Sequence, residues 1–284
     1  MKIIKFVKPL VKRFPLVANY YRYLRDAKAL NEEVKYRESL SFFFNGPQSM
    51  QEGTFEPQET LIFEKVIGNF DLFVNIGANT GYYVCKALKH GVDVVAFEPN
   101  QLNVNILLRN IEANQFPSTF QLFPVALSDK LGVLPMYGGG TGASLIEGWA
   151  GQVNKNLVPI STFNTTATSL VAKRSCFILI DIEGAELGCL KGAETLLSAD
   201  TNNLFLVEIS VGKHQPSGIN VNPNLVETFE FMASFGYVAY TADNELRKVE
   251  LSEVKEVAET QIDTLGTHNF LFLKTENSLN DFGL

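Results

Sequence analysis

Carboxylates recur at the ends of predicted strands, and their positions suggest one site. Glu98 ends the second predicted strand, Asp181 lies at the end of the fourth, and Glu208 lies at the end of the fifth. His214 lies six residues beyond Glu208. Acids at such positions can accept hydrogen bonds from a ligand's hydroxyl groups, or take a proton as a general base. We therefore expect a site assembled from strand ends, with chemistry carried by carboxyl groups.

A glycine turn follows the first predicted strand. Gly77 and Gly81 have G-x-x-x-G spacing, which differs from the G-x-G-x-x-G of dinucleotide-binding turns and disfavours a dinucleotide dehydrogenase. Glu98 comes about twenty residues later, where an acid in this kind of fold accepts hydrogen bonds from a ribose. The turn and the acid together predict a ligand that carries adenosine.

The run from Asp181 to Glu186 holds three acids ahead of a predicted helix. Acids at a helix start stabilise its dipole, which accounts for Glu186 and is a fair account of Glu183. Asp181, at a strand tip, is instead predicted to orient a cofactor or act as general base. Glu208 is expected to bind substrate, assist Asp181 or pair with a base, and His214 is a further base candidate. Nothing in their spacing requires a cation, so no metal is expected.

The elements that position these residues alternate along the chain. Strands are predicted over residues 71–76, 92–98, 120–126, 176–182, 204–209, 237–242 and 269–274, and helices over 58–67, 101–114, 185–198 and 224–235, with another ending near 89. Apolar strands alternating with helices indicate an α/β fold with a mostly parallel sheet covered on both faces. The glycine-rich segment, residues 137–151, is predicted to be a mobile loop over the site, or a surface excursion without a role.

Composition narrows the class of protein. The net charge of −7 argues against a nucleic-acid partner bound through bulk charge. The three cysteines lack a metal-binding spacing and are expected to be buried free thiols, which favours a reducing, cytoplasmic location. No apolar run reaches the roughly 18 residues of a membrane span, and no secretory signal is recognised.

The N-terminal arm, residues 1–30, carries a net charge of +7, against −14 for residues 31–284. Its apolar residues recur at helical spacing, and Pro15 suits the first position of a second helix. The apolar positions are Ile3, Val7, Leu10, Phe14, Val17, Tyr21 and Leu24. The pattern predicts peripheral contact with the inner face of a membrane, or packing on the main domain. We divide the chain into a basic amphipathic arm with a linker, residues 1–52, and a main domain, residues 53–284.

Several motifs in fixed order resemble one family. They are Phe55-Glu56-Pro57, Asn75-Ile76-Gly77-Ala78-Asn79-Thr80-Gly81-Tyr82-Tyr83, Ala96-Phe97-Glu98-Pro99-Asn100, residues 105–114, Pro124-Val125-Ala126-Leu127-Ser128-Asp129, and Asp181-Ile182-Glu183-Gly184-Ala185-Glu186 followed by Leu190-Lys191-Gly192-Ala193-Glu194. Over about residues 53–210 the sequence resembles the FkbM family of S-adenosylmethionine-dependent methyltransferases. The resemblance implies a class I methyltransferase (Rossmann-like) fold with a seven-stranded sheet, and methyl transfer to oxygen, commonly on sugars of glycans or on secondary metabolites.

The resemblance also implies roles for particular residues. Glu98, with Pro99 and Asn100, would hold the ribose of the cofactor, and Asp181 would lie beside the methyl sulfonium. The positions implied for the methionine part are Asn75, Gly77, Ala78, Asn79 and Gly81, and the position beside adenine is Ala126. This chain departs from the family at two positions, with Asn75 where an Asp is usual and Leu179 where a Lys is usual.

The hypothesis is an O-methyltransferase that acts on a sugar hydroxyl of a glycan or lipid-linked saccharide, in polysaccharide biosynthesis. One alternative is a natural-product O-methyltransferase, in which the arm is a contact between subunits of a homo-oligomer. The other is a non-catalytic scaffold that binds the cofactor, which the departures at Asn75 and Leu179 suggest. In each case S-adenosylmethionine is the expected ligand.

Overall fold

Strands and helices alternate through the chain as the apolar pattern predicts. The structure, a computed structural model, describes residues 15–152 and 154–284. The strands are β1 Lys35–Arg37, β2 Phe42–Phe44, β3 Leu72–Ile76, β4 Asp93–Phe97, β5 Phe120–Phe123, β6 Ala126–Leu127, β7 Gly132–Tyr137, β8 Lys155–Ser161, β9 Cys176–Ile180, β10 Leu204–Glu208, β11 Tyr237–Thr241, β12 Lys248–Val249 and β13 Asn269–Lys274. The α-helices are α1 Pro15–Asn31, α2 Gln48–Glu52, α3 Pro57–Val66, α4 Tyr82–Lys89, α5 Gln101–Glu112, α6 Phe163–Thr166, α7 Thr168–Val171, α8 Glu186–Lys191, α9 Glu194–Leu197, α10 Leu225–Ser234 and α11 Leu251–Thr260.

The main sheet has eight strands in the order β12-β11-β13-β10-β9-β3-β4-β5. Strands β5, β4, β3, β9 and β10 are parallel, and β13 is antiparallel to both β10 and β11. Seven of these strands are the predicted ones. The eighth is the two-residue edge strand β12, too short to give a recognisable pattern.

The strand order reverses at β3, which fixes where a ligand binds. From β3 the chain moves to β4 and β5 on one side, and later returns to place β9 on the other side. The loops that leave β3 and β9 therefore lie side by side at the carboxyl ends of the strands and lead to helices on opposite faces of the sheet. In open α/β sheets, ligands bind in the crevice at this point.

Two hydrophobic cores lie on the two faces of the sheet, because successive strand residues point to opposite sides. Val74 and Ile76 belong to one core, with side chains from α8 to α11, and Phe73 belongs to the other, with α3, α4 and α5. The predicted buried thiols are confirmed, since Cys85, Cys176 and Cys189 are all buried and free. The sheet covered on both faces confirms the predicted fold class.

The sequence predicts one helix over residues 185–198, and this prediction was wrong. The chain forms two short helices there, α8 and α9. Gly192, between the two, packs against a neighbouring loop so closely that an added Cβ would lie 2.0 Å from the carbonyl oxygen of Ser128. The carbonyl of Gly192 also accepts a hydrogen bond from the backbone N–H of Asn164, at 2.9 Å. These contacts take the backbone out of the helical path.

The region between β5 and β9 holds a small three-stranded sheet that the sequence did not predict. Strands β6, β8 and β7 form it in that order, with β7 antiparallel to β8. The third predicted strand, residues 120–126, is correspondingly divided into β5 and β6. The small sheet carries the glycine-rich segment to the edge of the main sheet where ligands are expected.

The arm contacts the main domain where the structure describes it. The guanidinium of Arg109, on α5, donates hydrogen bonds to the carbonyls of Leu30 and Glu32 at the end of α1. Phe42 and Phe44 of the β1–β2 hairpin are buried in the core that α4 and α5 share. The predicted positions Ile3, Val7, Leu10 and Phe14 lie outside the described residues. The division at residue 52 stays a prediction, and within the described ranges no helix is long and apolar enough to cross a membrane.

Candidate active site

The central cleft opens where β3, β4 and β9 end, and the space within it, together with the solvent-filled mouth, is about 590 Å³. Of the predicted site residues, six line it: Gly77, Asn79, Glu98, Pro99, Ala126 and Asp181. Met136, Gly140, Ala143 and Leu145 of the β7 and glycine-rich region line the opposite wall.

Glu98 is a buried carboxylate fixed by backbone donors. Its Oε2 accepts the N–H of Asn79 at 2.8 Å, and its Oε1 accepts the N–H of Asn100 at 2.8 Å. Burial raises the pKa of Glu98 to about 7, although these two hydrogen bonds act to lower it. A buried acid at a strand end that faces a cleft has free lone pairs for the hydroxyl groups of a ligand.

The turn after β3 depends on glycine at residue 77. Gly77 has φ +91°, and an added Cβ would lie 1.9 Å from the carbonyl oxygen of Asp181. The backbone N–H of Asp181 donates to the carbonyl of Ile76 at 3.0 Å. Glycine therefore allows the two loops that leave β3 and β9 to pack together and form the floor of the cleft.

Asp181, Glu208 and Glu56 form a cluster of partly buried carboxyl groups, hereafter the acid cluster. One oxygen atom from each lies within 4.8 Å of the others. Burial, followed by the charge of neighbouring acids, raises the pKa of all three. Such close acids cannot all be ionised, so they must share protons. Three carboxylate oxygens are also a set that a divalent cation accepts, and the absence of a metal stays a prediction.

Glu56 is a site residue that the sequence reasoning missed. It precedes Pro57 at the start of α3, with φ +41°, and its Oε2 accepts a hydrogen bond from the hydroxyl of Tyr83 at 3.1 Å. Its motif was recognised, but no predicted strand placed it near Asp181. The only available signal was an acid immediately before a helix-initiating proline.

His214 lies beside Glu183. Neither His214 nor Glu208 lines the central cleft. Its Nδ1 is 3.5 Å from Oε2 of Glu183, and its side chain is 51% exposed. Glu183 is itself in a left-handed backbone conformation, with φ +57°. The two predicted base candidates therefore occupy different positions: Glu208 belongs to the acid cluster with Asp181, and His214 lies beside Glu183.

The remaining predicted residues support the cleft from outside its lining. Asn75 is buried within β3, and Leu179 is buried within β9. Gly81 packs on α5, since an added Cβ would lie 2.9 Å from Cγ of Leu107. Asn100 begins α5, and its side chain accepts the N–H of Leu102 at 3.0 Å. Ala78 is also buried.

The glycine-rich segment is packed against the site in this structure. Trp149 is 2% exposed, and its indole N–H donates to Oε2 of Glu183 at 2.7 Å. The hydroxyl of Ser144 donates to the carbonyl of Glu183 at 2.5 Å. The predicted position over the site agrees with these contacts, while the predicted mobility stays a prediction.

Three features together define a Rossmann-like nucleoside site. The strand order reverses at β3, a glycine turn follows β3, and a buried acid follows the next strand, β4. The family model described as "Methyltransferase FkbM domain" matches residues 75–239, which is more than half of the chain. The chain belongs to the FkbM methyltransferase family. It is therefore an S-adenosylmethionine-dependent methyltransferase, as the sequence motifs predicted.

Solved structures that the chain matches at low sequence identity include three methyltransferases. The S-adenosylhomocysteine-bound methyltransferase PaMTH1 of Podospora anserina has a TM-score of 0.42 and 9% identity, over 90% of this chain and 95% of that one. The structure described as StiE O-MT residues 961–1257 has a TM-score of 0.45 and 6% identity, over 83% of this chain and 80% of that one. Precorrin-6y C5,15-methyltransferase of Geobacter metallireducens has a TM-score of 0.38 and 10% identity, over 81% of this chain and 95% of that one. No curated protein matches the chain significantly.

The central cleft fits S-adenosylmethionine, on the evidence of its own residues. Glu98 is a buried acceptor suited to a ribose, and Gly77 and Asn79 bring the turn after β3 to the edge of the cleft. Ala126 and Leu127 provide an apolar wall. Asp181 lines the cleft and also belongs to the acid cluster, so a carboxyl group lies where the cleft and the cluster meet.

Proposed function

We propose that the protein transfers a methyl group from S-adenosylmethionine to a hydroxyl oxygen, and that the hydroxyl belongs to a saccharide. The cofactor supplies an activated methyl sulfonium when bound. The protein must then hold the acceptor oxygen in line with that methyl group and remove the hydroxyl proton. The observation that carries the proposal is the contact of Asp181 with both the cleft and the acid cluster.

Asp181 is the proposed base, and Glu208 keeps it available. Burial and the charge of Asp181 raise the pKa of Glu208, so Glu208 holds a proton at neutral pH and can donate a hydrogen bond to Asp181. Burial and the charge of Glu183 raise the pKa of Asp181 to about 7, with Glu208 acting to lower it. A base with a pKa near the working pH is the most effective at proton transfer.

The cofactor contacts proposed for this chain follow from the lining of the cleft. Glu98 accepts hydrogen bonds from the ribose hydroxyls, and Ala126 and its neighbours contact the adenine. Gly77 and Asn79 border the methionine part. Glu183, which lines the cleft beside Asp181, and His214, 3.5 Å from the Glu183 carboxylate, are proposed to contact the acceptor. These roles for individual residues remain proposals.

Two alternatives make different predictions for the same protein. A natural-product acceptor would replace the saccharide while leaving the proposed base in place. A non-catalytic scaffold would bind the cofactor without turnover. Membrane contact through the arm would favour a lipid-linked acceptor, and a cytoplasmic location, favoured by the free thiols, would place that contact at the inner face.

The test measures formation of S-adenosylhomocysteine by the full chain with a panel of saccharides and of natural-product alcohols. We expect turnover with a saccharide, and Asp181→Asn to lower kcat by about 100-fold or more because the base is lost. Affinity for S-adenosylhomocysteine should change far less in this variant. Glu194→Gln, at an exposed acid on α9, is the matched control. Cofactor binding with no turnover on any acceptor would favour the scaffold, and turnover unaffected by Asp181→Asn would overturn the base.

A further inference from the structure

Trp149, the single tryptophan of the chain, lies where three loops of the site meet. Its indole N–H donates to the carboxylate of Glu183, on the loop that leaves β9, at 2.7 Å. Its ring covers Gly184, where an added Cβ would lie 2.5 Å from the indole. The ring also contacts His214 edge-on, with centroids 6.0 Å apart. No sequence motif pointed to this residue.

The contacts around Trp149 continue through the neighbouring backbone. The N–H of Ala150 donates to the carbonyl of His214 at 2.7 Å. At the other end of the segment, Ser144 donates to the carbonyl of Glu183, and Ser144 is itself buried. Glu183 therefore receives hydrogen bonds from the glycine-rich segment on both its backbone and its side chain.

The same carboxylate faces the catalytic region. Oε2 of Glu183 accepts the indole N–H and lies 3.5 Å from Nδ1 of His214. Glu183 lines the central cleft beside Asp181, and Gly140, Ala143 and Leu145 of the glycine-rich segment line its other wall. The indole thus joins the two walls of the cleft outside the space available to a ligand.

We propose that Trp149 is a positioning residue, which holds the glycine-rich segment closed over the cofactor and holds the Glu183 carboxylate beside His214. A neutral donor bound to a partly buried carboxylate, such as Glu183 at 16% side-chain exposure, makes one of the stronger hydrogen bonds in proteins. Loss of the hydrogen bond from Trp149 to Glu183 therefore releases the glycine-rich segment and the Glu183 side chain together. The inference rests on the proposed function only through binding of the cofactor, and not on the identity of the acceptor.

The first test uses the dissociation rate of S-adenosylhomocysteine from the full chain, measured by stopped flow. Trp149→Phe keeps an aromatic ring over Gly184 and removes the N–H, and Glu183→Gln removes the charge of the acceptor. We expect each variant to release S-adenosylhomocysteine about tenfold faster, because a hydrogen bond to a charged group is lost. The double variant should be no faster than either single one, because both changes remove the same interaction.

The second test uses the indole itself. A chain with one tryptophan gives a single indole N–H resonance in a nitrogen–proton spectrum, and burial against a carboxylate should protect it from hydrogen exchange. We expect Glu183→Gln to shift this resonance and to speed its exchange. Glu194→Gln, an exposed acid outside the site, should change neither the resonance nor the dissociation rate.

The outcomes separate the inference from the proposed function. Folded Trp149→Phe with a dissociation rate within twofold of the parent, or fully additive effects in the double variant, would overturn the positioning role. If Trp149→Phe fails to fold, Glu183→Gln with an unchanged indole resonance would do the same. Failure of the parent to methylate any acceptor would count against the proposed function and leave these binding measurements intact.

Discussion

The acids of the site differ in role because their surroundings differ. Glu98 is held by two backbone N–H donors at the end of β4. Glu186 is buried at the start of α8, where its carboxylate accepts the N–H of Gly184 at 2.8 Å, and burial raises its pKa to about 8. Asp181 and Glu208 share the acid cluster. These differences in hydrogen-bond donors, burial and neighbouring charge support the separate binding, structural and proton-transfer roles that we propose for chemically similar groups.

Affinity for S-adenosylhomocysteine should depend on the protonation of Glu98. The pKa of Glu98 is raised to about 7 in the free protein, so the carboxyl group is mostly protonated at pH 6 and mostly ionised at pH 8. An ionised acceptor binds ribose hydroxyls more strongly. We expect affinity, measured by calorimetry, to rise from pH 6 to pH 8, and Glu98→Gln to lower it by about tenfold at pH 8.

The pH dependence distinguishes this role from a general loss of stability. The Glu98→Gln variant should bind S-adenosylhomocysteine with nearly the same affinity at pH 6 and pH 8. Any remaining pH dependence would come from the other acids of the site and should be smaller. Glu194→Gln, which keeps Glu98 intact, should retain the full rise. A Glu98→Gln variant that keeps the parent's affinity and its pH dependence would show that the carboxylate does not hold the ribose.

Short elements meet at Gly192, and its contacts explain why they are short. The backbone of Gly192 lies against the loop after β6 and accepts a hydrogen bond from Asn164, at the start of α6. It therefore joins the small sheet, α6 and the α8–α9 region. Gly188, one turn earlier within α8, has ordinary space around it, since an added Cβ would lie 3.7 Å from Oγ of Ser128.

Alanine at these two glycines should have opposite effects on the free energy of unfolding. Gly192→Ala places a Cβ against the carbonyl of Ser128, and we expect it to destabilise the protein by about 1–3 kcal/mol. Gly188→Ala removes backbone freedom in a helix and should stabilise it by about 0.5–1 kcal/mol. Urea unfolding of the two variants measures both effects. Equal changes, or a stable Gly192→Ala, would contradict the packing described for the α8–α9 junction.

The sequence predicted the main sheet because each strand is apolar over most of its length and ends in polar residues. Strand β13 was predicted with its observed ends, Asn269–Lys274. The Gly192 junction was missed because the contact with Ser128 joins distant parts of the chain, and helical periodicity does not record it. Glu56 and Trp149 were missed as site residues for the same reason, since each reaches its partners only through tertiary packing.

Charge is distributed unevenly over the whole molecule, and the described part of the arm lies near the site. Residues 1–30 carry a net charge of +7. The guanidinium of Arg25, on α1, lies close to the glycine-rich segment, 3.9 Å from the position of a Cβ built on Gly139. Tyr20 and Leu24 of the same helix are exposed. An arm bound to a membrane surface would therefore hold the cleft near that surface, which suits a lipid-linked acceptor.

The full chain should bind vesicles that contain anionic lipid, and binding should weaken with salt. Each basic residue near such a surface contributes about 1 kcal/mol, and the attraction is screened over about 8–10 Å at physiological salt. We expect co-sedimentation with vesicles containing phosphatidylserine but not with vesicles of phosphatidylcholine alone. Changing Lys2, Lys5, Lys8 and Lys12 to Gln should reduce binding by at least tenfold.

A matched control shows whether vesicle binding depends on the arm or only on the net charge of the protein. Changing four exposed lysines of the main domain to Gln removes the same charge and leaves the arm intact; these are Lys65, Lys130, Lys155 and Lys248. If the arm acts as a local basic surface, this control keeps most of the binding, because screening confines each charge to its own neighbourhood. Equal losses in the two variants would show that total charge governs binding. No binding by the parent chain would leave the arm with packing on α5 as its role.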